Sequence, residues 1–179
     1  ENSFSWNFLP GTLKEIKVIN ALATKNNINA RSISGINASE KYLNSILIDA
    51  PQVLHLSTHG FFDAKHGNDS LIRRQIALGV HHPLTQSGLV LAGANLRSTN
   101  PATSDPGNDG ILTSLEISHL DLAKTELVVL SACETGLGMV RGSEGVYGLQ
   151  RAFKKAGVDK IMMSLWQIPD TETSEFMET

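Results

Sequence analysis

Apolar residues recur at three- and four-residue steps in two stretches of the chain, which is the spacing of one face of a helix. The first stretch comprises Leu9, Leu13, Ile16, Ile19 and Ala23. It predicts an amphipathic helix over about residues 12–24. The second stretch comprises Val146, Leu149, Ala152, Phe153 and Ala156. It predicts a helix over residues 144–156, which Gly157 ends as a left-handed cap.

A third helix is predicted over residues 38–48 from the residue types at its start. Asn37 is the expected cap, and Glu40 follows it three residues later. This combination provides partners for backbone amides that a helix N-terminus otherwise leaves without a hydrogen bond. Between this helix and the first one, residues 29–34 are a candidate short strand.

Four short apolar runs bounded by turn residues predict strands, at residues 53–58, 88–92, 127–132 and 160–166. The run at 127–130 is apolar at every position. Such strands are typical of a sheet covered on both faces, which usually means parallel strands linked by helices. The expected fold class is therefore α/β, a three-layer α/β/α sandwich with a mostly parallel central sheet. Residues 97–110, rich in proline, glycine and small polar residues, predict a loop.

Length and composition indicate the size of the protein and exclude some partners. The chain has 179 residues, 41% of them hydrophobic, so we expect one domain over residues 1–179. It begins at Glu1 rather than methionine, and residues 171–179 read as an interrupted helix start, so we expect a fragment of a longer chain. A net charge of −3 without a dense basic stripe argues against nucleic acid as a partner. No apolar stretch approaches the roughly 20 residues that cross a bilayer, so no membrane partner is expected.

Cys133 is the single cysteine of the chain. A lone thiol forms no internal disulfide and no multi-thiolate zinc site, so we expect a reducing compartment, the cytoplasm, and a thiol available for chemistry. Cys133 follows the predicted strand at 127–132, and His59 and Gly60 follow the one at 53–58. Ligands of open α/β sheets bind at the carboxyl ends of strands, where these residues meet if their strands are neighbours.

A cysteine and a histidine placed together in this way can act as a nucleophile and its base. A free thiol titrates at about 8.5, and an imidazole can take its proton and later return one to a leaving amine. The backbone N–H groups of Gly60 and Cys133 are candidate donors to the oxyanion. Spacing alone favours the alternative, in which Cys133 is a small core residue and His59 a structural hydrogen bonder.

Four segments of the chain, in order, carry a family resemblance. They are LHLSTHG at 54–60, LVVLSACETGLG at 127–138, GSEGVYGLQRAFKKAGV at 142–158 and MMSLWQIPD at 162–170. Together they resemble the CHAT domain family of caspase-like cysteine peptidases, which are often fused to tetratricopeptide repeats. The resemblance implies a caspase-like version of the α/β/α sandwich. It also implies that His59 and Cys133 form the catalytic dyad.

The same resemblance implies a substrate pocket. By analogy with caspases, Ser131, two residues before the cysteine, lies in the pocket for the side chain that precedes the scissile bond. Trp166, Gln167 and Asp170 follow the next strand and are candidate pocket residues. Alternatively, Trp166 covers the core and Asp170 caps the helix that begins after it. No cofactor is implied, and a regulatory tetratricopeptide-repeat region, in the same or a partner chain, is a candidate partner.

Metal and phosphate sites have weaker support. His55 and His59 are four residues apart on a presumed strand and share a face, as two metal ligands would. A catalytic zinc ion usually takes three protein ligands, and the other histidines lack ligand spacing, so no metal is expected. His55 is instead expected to be packed or hydrogen-bonded. The glycine-rich segment after Cys133 lacks the Gly-Lys-Ser/Thr of a phosphate-binding loop.

Three hypotheses for the function follow. The leading one is a caspase-like cysteine endopeptidase that hydrolyses peptide bonds of a protein substrate through the Cys133–His59 dyad. The alternative from a different class is a catalytically silent CHAT-type module that binds other proteins. The third is a cysteine-dependent hydrolase or acyl transferase with a substrate other than protein, since a fold does not determine its substrate.

Overall fold

The computed structural model describes residues 5–62, 82–99, 107–131 and 143–163. The helices in these ranges are α1 Pro10–Lys25, α2 Glu40–Ile46, α3 Ala94–Thr99, α4 Ser114–Ile117 and α5 Ser143–Lys155. The strands are β1 Val53–Ser57, β2 His59–Phe62, β3 Ser87–Val90, β4 Ile111–Thr113, β5 Leu127–Ser131 and β6 Lys160–Met163. Short 3-10 turns occupy Gly35–Asn37, Leu47–Asp49 and Pro83–Thr85. The described part of the chain is thus mixed α/β. Among the helices in these ranges there is no candidate for a membrane span.

Three of the strands form a parallel sheet in the order β1-β5-β6. Its register pairs Val53 with Leu127 and Ser57 with Ser131, so β1 and β5 begin and end at the same levels. On the other side of β5, Leu127 pairs with Lys160 of β6. The predicted parallel strands at 53–58 and 127–132 are therefore confirmed within the described residues, and the one at 160–166 is confirmed up to Met163.

The other three strands form a separate antiparallel sheet in the order β2-β3-β4. One residue, Thr58, separates β1 from β2, so the chain passes directly from one sheet to the other. His59 of β2 lies opposite Val90 of β3. The prediction that residues 88–92 belong to a mostly parallel sheet is wrong. All four residues of β3 are buried, so its apolar run reflects coverage of both faces and carries no information on strand direction.

The helix predicted over 12–24 is confirmed as α1, with Pro10 in its first turn, where the missing N–H of proline has no cost. The start predicted for the next helix is wrong. Asn37 lies in a 3-10 turn, and Ser39 caps α2 by accepting a hydrogen bond from the Tyr42 amide at 3.3 Å. Residues 29–34 contain no strand.

The helix predicted over 144–156 is confirmed as α5, and Gly157 follows it with φ +103°, as a left-handed cap requires. The loop predicted over 97–110 is wrong at its start, because α3 continues to Thr99. Residues 100–106 lie outside the described residues. The main core lies between the strands and α5, where Phe153, Leu130 and Ile117 are at most 1% exposed.

Candidate active site

His59 begins β2 at the carboxyl end of β1, and the neighbouring strand β5 ends at the same level. The Thr58 N–H donates a hydrogen bond to the Ser131 carbonyl at 3.1 Å, which extends the β1–β5 pairing one residue past β1. The Thr58 hydroxyl donates to the Val90 carbonyl of β3. Thr58 therefore joins the two sheets, and its hydrogen bonds determine where the backbone of His59 lies.

The His59 side chain is 8% exposed and contacts the segment that precedes α1. Its Nε2 lies 2.7 Å from the backbone oxygen of Asn7, and its ring centroid lies 5.3 Å from that of Trp6. A carbonyl oxygen only accepts hydrogen bonds, so Nε2 carries a proton and Nδ1 is the nitrogen that can accept one. The side chain of Asn95 holds this segment through the Trp6 amide, at 2.8 Å, and the Trp6 carbonyl, at 3.0 Å.

Gly60 is buried and lies opposite Leu89 in the β2–β3 pairing. It is adjacent to His59 in the strand. Cys133, Trp166, Gln167 and Asp170 lie outside the described residues.

Ser131, the last residue of β5, is 7% exposed and belongs to a buried polar cluster. Its hydroxyl donates to the Glu15 carboxylate at 3.0 Å. The same carboxylate oxygen, Oε2, accepts a hydrogen bond from the Ser57 hydroxyl at 2.6 Å. The other oxygen, Oε1, accepts one from His55 Nε2 at 2.8 Å. Glu15 of α1 thereby contacts β1 and β5 at their carboxyl ends.

The Glu15 side chain is 2% exposed. Burial alone raises the pKa of this carboxyl, but the hydrogen bonds from His55, Ser57 and Ser131, together with the attraction of His55, outweigh burial and lower the pKa below its ordinary 4.5. The Glu15 side chain is therefore a carboxylate at neutral pH. Sequence reasoning missed this residue.

His55 is hydrogen-bonded, as predicted, with Glu15 as its partner. The described residues contain no group of three or more His, Cys, Asp and Glu side chains arranged to hold a metal ion. The Asn7 carbonyl was also missed by sequence reasoning, because a backbone acceptor leaves no mark on residue types.

The described part thus combines a parallel sheet with a buried histidine at the carboxyl end of one strand and a buried carboxylate beneath two strand ends. A family model for the CHAT domain matches residues 1–179, the whole chain. The protein therefore belongs to the CHAT domain family, which is associated with caspase-like cysteine peptidases. Searches of curated proteins and of solved structures gave no match.

Proposed function

We propose that the protein is a caspase-like cysteine endopeptidase in which Cys133 is the nucleophile and His59 its base. The observation that carries this proposal is the pairing of the β1 and β5 ends. The Thr58 amide and the Ser131 carbonyl are hydrogen-bonded, His59 follows Thr58 directly, and Cys133 is two residues past Ser131. Two residues of extended chain span at most about 7.2 Å between Cα atoms, so covalent geometry limits the separation of the Ser131 and Cys133 Cα atoms to that distance.

The hydrogen bond to Asn7 supports the role of His59 as base. In the tautomer it requires, Nδ1 accepts the thiol proton of Cys133, and the resulting imidazolium keeps its Nε2–H on the Asn7 carbonyl. A backbone carbonyl thus takes the orienting role that a carboxylate has in a catalytic triad. No third catalytic side chain is needed.

The reaction proceeds in two halves. The Cys133 thiolate attacks the scissile carbonyl carbon, and the amides of Gly60 and Cys133 donate to the developing oxyanion. The C–N bond then breaks, and the departing amine takes the proton held by His59. A water molecule gives a proton to His59 and attacks the thioester. The C–S bond breaks, the sulfur regains its proton, and a new carboxyl terminus is released.

The packing supports a three-layer sandwich as part of the same proposal. Side chains alternate across β5, so Ser131 meets Glu15 of α1 on one face. Val128 and Leu130 point the opposite way and belong to the core that contains Phe153 of α5. A helix thus contacts one face of the parallel sheet and the buried core lies on the other, which supports a single caspase-like domain over residues 1–179.

The proposal has consequences for partners and location. A protein substrate binds along the edge that carries His59, with Trp166, Gln167 and Asp170 shaping its pocket, whereas the Ser131 side chain is buried against Glu15. A tetratricopeptide-repeat region, in the same or a partner chain, controls access to the site. A cytoplasmic location is part of the proposal because a nucleophilic thiol persists in a reducing compartment.

Alkylation of Cys133 tests the dyad without knowledge of the substrate. The chain has a single cysteine, so iodoacetamide incorporation reports on this residue alone. At pH 6.5 we expect the native protein to react at least about tenfold faster than the unfolded chain, whose thiol titrates at about 8.5. His59→Ala should lose this advantage. His119→Ala is the matched control, because His119 is exposed, and it should retain the advantage.

Proteolysis is tested by mapping new N-termini in cells that express the full-length protein or its Cys133→Ala form. Cleavages that depend on Cys133 are the expected result. A native thiol no more reactive than that of the unfolded chain, together with identical N-termini in both samples, would refute the peptidase and favour the binding module.

A further inference from the structure

Glu15 is a buried charge that the chemistry of the proposed dyad does not use. It is 2% exposed, and three different side chains donate hydrogen bonds to it. Taking a charge out of water is costly unless donors replace the lost hydration, and these three side chains supply such donors. The location of these donors indicates what the carboxylate does.

Two of the donors form the last pair of the β1–β5 register. Ser57 lies opposite Ser131, and both hydroxyls donate to the same oxygen, Oε2, at 2.6 and 3.0 Å. One oxygen atom therefore bridges the two strand ends. His59 lies two residues past Ser57, and Cys133 lies two residues past Ser131. The bridge is thus equally close in sequence to both members of the proposed dyad.

The helix that carries Glu15 also begins close to the contact with His59. Asn7, whose carbonyl binds the His59 ring, lies three residues before the start of α1 at Pro10. The segment from Asn7 to Glu15 therefore holds the imidazole with a backbone oxygen and both strand ends with a carboxylate. A shift of α1 along the sheet would change all of these contacts together.

We propose that Glu15 is a positioning residue for the proposed dyad: it holds the carboxyl ends of β1 and β5 at a common level, so that the His59 ring and the Cys133 thiol meet. This inference rests on the proposed function. In this role Glu15 acts through Ser57 and Ser131. Its carboxylate form suits the role because it can accept hydrogen bonds from all three donors without donating one itself.

Hydrogen exchange tests the bridge independently of any chemistry. The Thr58 amide donates to the Ser131 carbonyl at the end of the β1–β5 pairing, whereas the Leu127 amide donates to the Gln52 carbonyl at the opposite end. In Glu15→Ala we expect exchange at Thr58 to accelerate at least about tenfold, with less than about a threefold change at Leu127. Glu40→Ala is the matched control, because Glu40 is another buried glutamate, at 3% exposure, bound to Gly110 instead. It should leave Thr58 unchanged.

The second measurement is the rate at which iodoacetamide labels Cys133 between pH 6 and 8. Misplacing one partner of the dyad by about 1 Å is enough to reduce the rate tenfold or more, so we expect such a loss in Glu15→Ala and none in Glu40→Ala. A purely structural loss would lower the melting temperature without moving the pH profile of labelling. Ser57→Ala should cause a smaller loss in rate. Adding it to Glu15→Ala should cause no further loss, because both changes remove the same link.

The outcomes separate this inference from the proposed function. Wild-type exchange at Thr58 or wild-type labelling in folded Glu15→Ala would overturn the positioning role. Additive effects of Ser57→Ala and Glu15→Ala would overturn it as well. If Glu15→Ala does not fold, Ser57→Ala and Glu15→Gln decide by the same two measurements. An unreactive native thiol would overturn the proposed function and with it the catalytic consequence, whereas the exchange result would still report on the bridge.

Discussion

Glu40 is expected to make the protein less stable as the pH rises through neutrality. It begins α2 and is 3% exposed, and its Oε1 accepts a hydrogen bond from the Gly110 amide at 2.6 Å. Burial, followed by the nearby charges of Asp109 and Glu116, raises its pKa from 4.5 to about 7, although backbone amides partly oppose this. The folded protein therefore holds a proton on Glu40 that the unfolded chain has already released.

The direction of the effect follows from the raised pKa. The folded state binds more protons than the unfolded state between pH 4.5 and about 7, so the free energy of unfolding decreases across that range. The stabilisation that comes from protonated Glu40 is present in full below pH 4.5, and it is lost as the pH rises through the pKa of the folded state. The difference between the folded and unfolded pKa of Glu40, at about 1.4 kcal/mol per pKa unit, lowers the free energy of unfolding by about 3 kcal/mol between pH 4 and pH 8.

Urea unfolding of the wild type and of Glu40→Gln at a series of pH values measures this effect. Glutamine stays neutral and can still accept from the Gly110 amide, so the variant should lack the decrease. We expect the wild type to lose about 3 kcal/mol relative to the variant between pH 4 and pH 8. Glu126→Gln, which changes an exposed glutamate, should run parallel to the wild type. If the free energy of unfolding of Glu40→Gln also runs parallel to that of the wild type across this pH range, the reasoning is refuted.

Two comparisons of glycines test the packing between the elements of the fold. A Cβ at Gly110, where φ is +83°, would lie 2.7 Å from the Ala94 Cα, so Gly110→Ala should lower the free energy of unfolding by about 3 kcal/mol or more. Gly35 has φ +61° but open space around it, so Gly35→Ala should lower the same free energy by only about 1 kcal/mol. Urea unfolding measures both. A Cβ at Gly148 would collide with the Ser87 hydroxyl, so Gly148→Ala should cost about 2 kcal/mol in the wild type and less than about 1 kcal/mol in Ser87→Ala. Equal losses within either pair would contradict the packing described.

The strands of the parallel sheet could be predicted because their apolar runs are short and bounded by turn residues. The same property could not reveal the second sheet. Ser87–Val90 is buried on every side, and complete burial looks the same in the sequence whether a neighbouring strand runs parallel or antiparallel. The second sheet begins after Thr58, where β1 passes into β2 after one residue, and this connection has no apolar signature.

The candidate site shows a different limit of sequence reasoning. The apolar period of α1 placed Leu13 on the buried face, yet Leu13 is 38% exposed while Glu15 is 2% exposed. The helix lies against a part of the sheet that presents His55, Ser57 and Ser131, so the residue it buries there is polar. A search for apolar periodicity counts such a helix face as solvent-exposed and misses its most important contact.

The two buried glutamates differ in their surroundings more than in their burial. Glu15 faces three donors and keeps its charge, whereas Glu40 lies near Asp109 and Glu116 and titrates at about 7. Activity measured between pH 6 and 8 would therefore combine the ionisation of the dyad with the loss of stability at Glu40. Measuring the profile in Glu40→Gln removes the second contribution. If the pH profile of activity keeps its midpoint in this variant, the profile reports the ionisation of the dyad. If it shifts or flattens, the profile reports the loss of stability at Glu40.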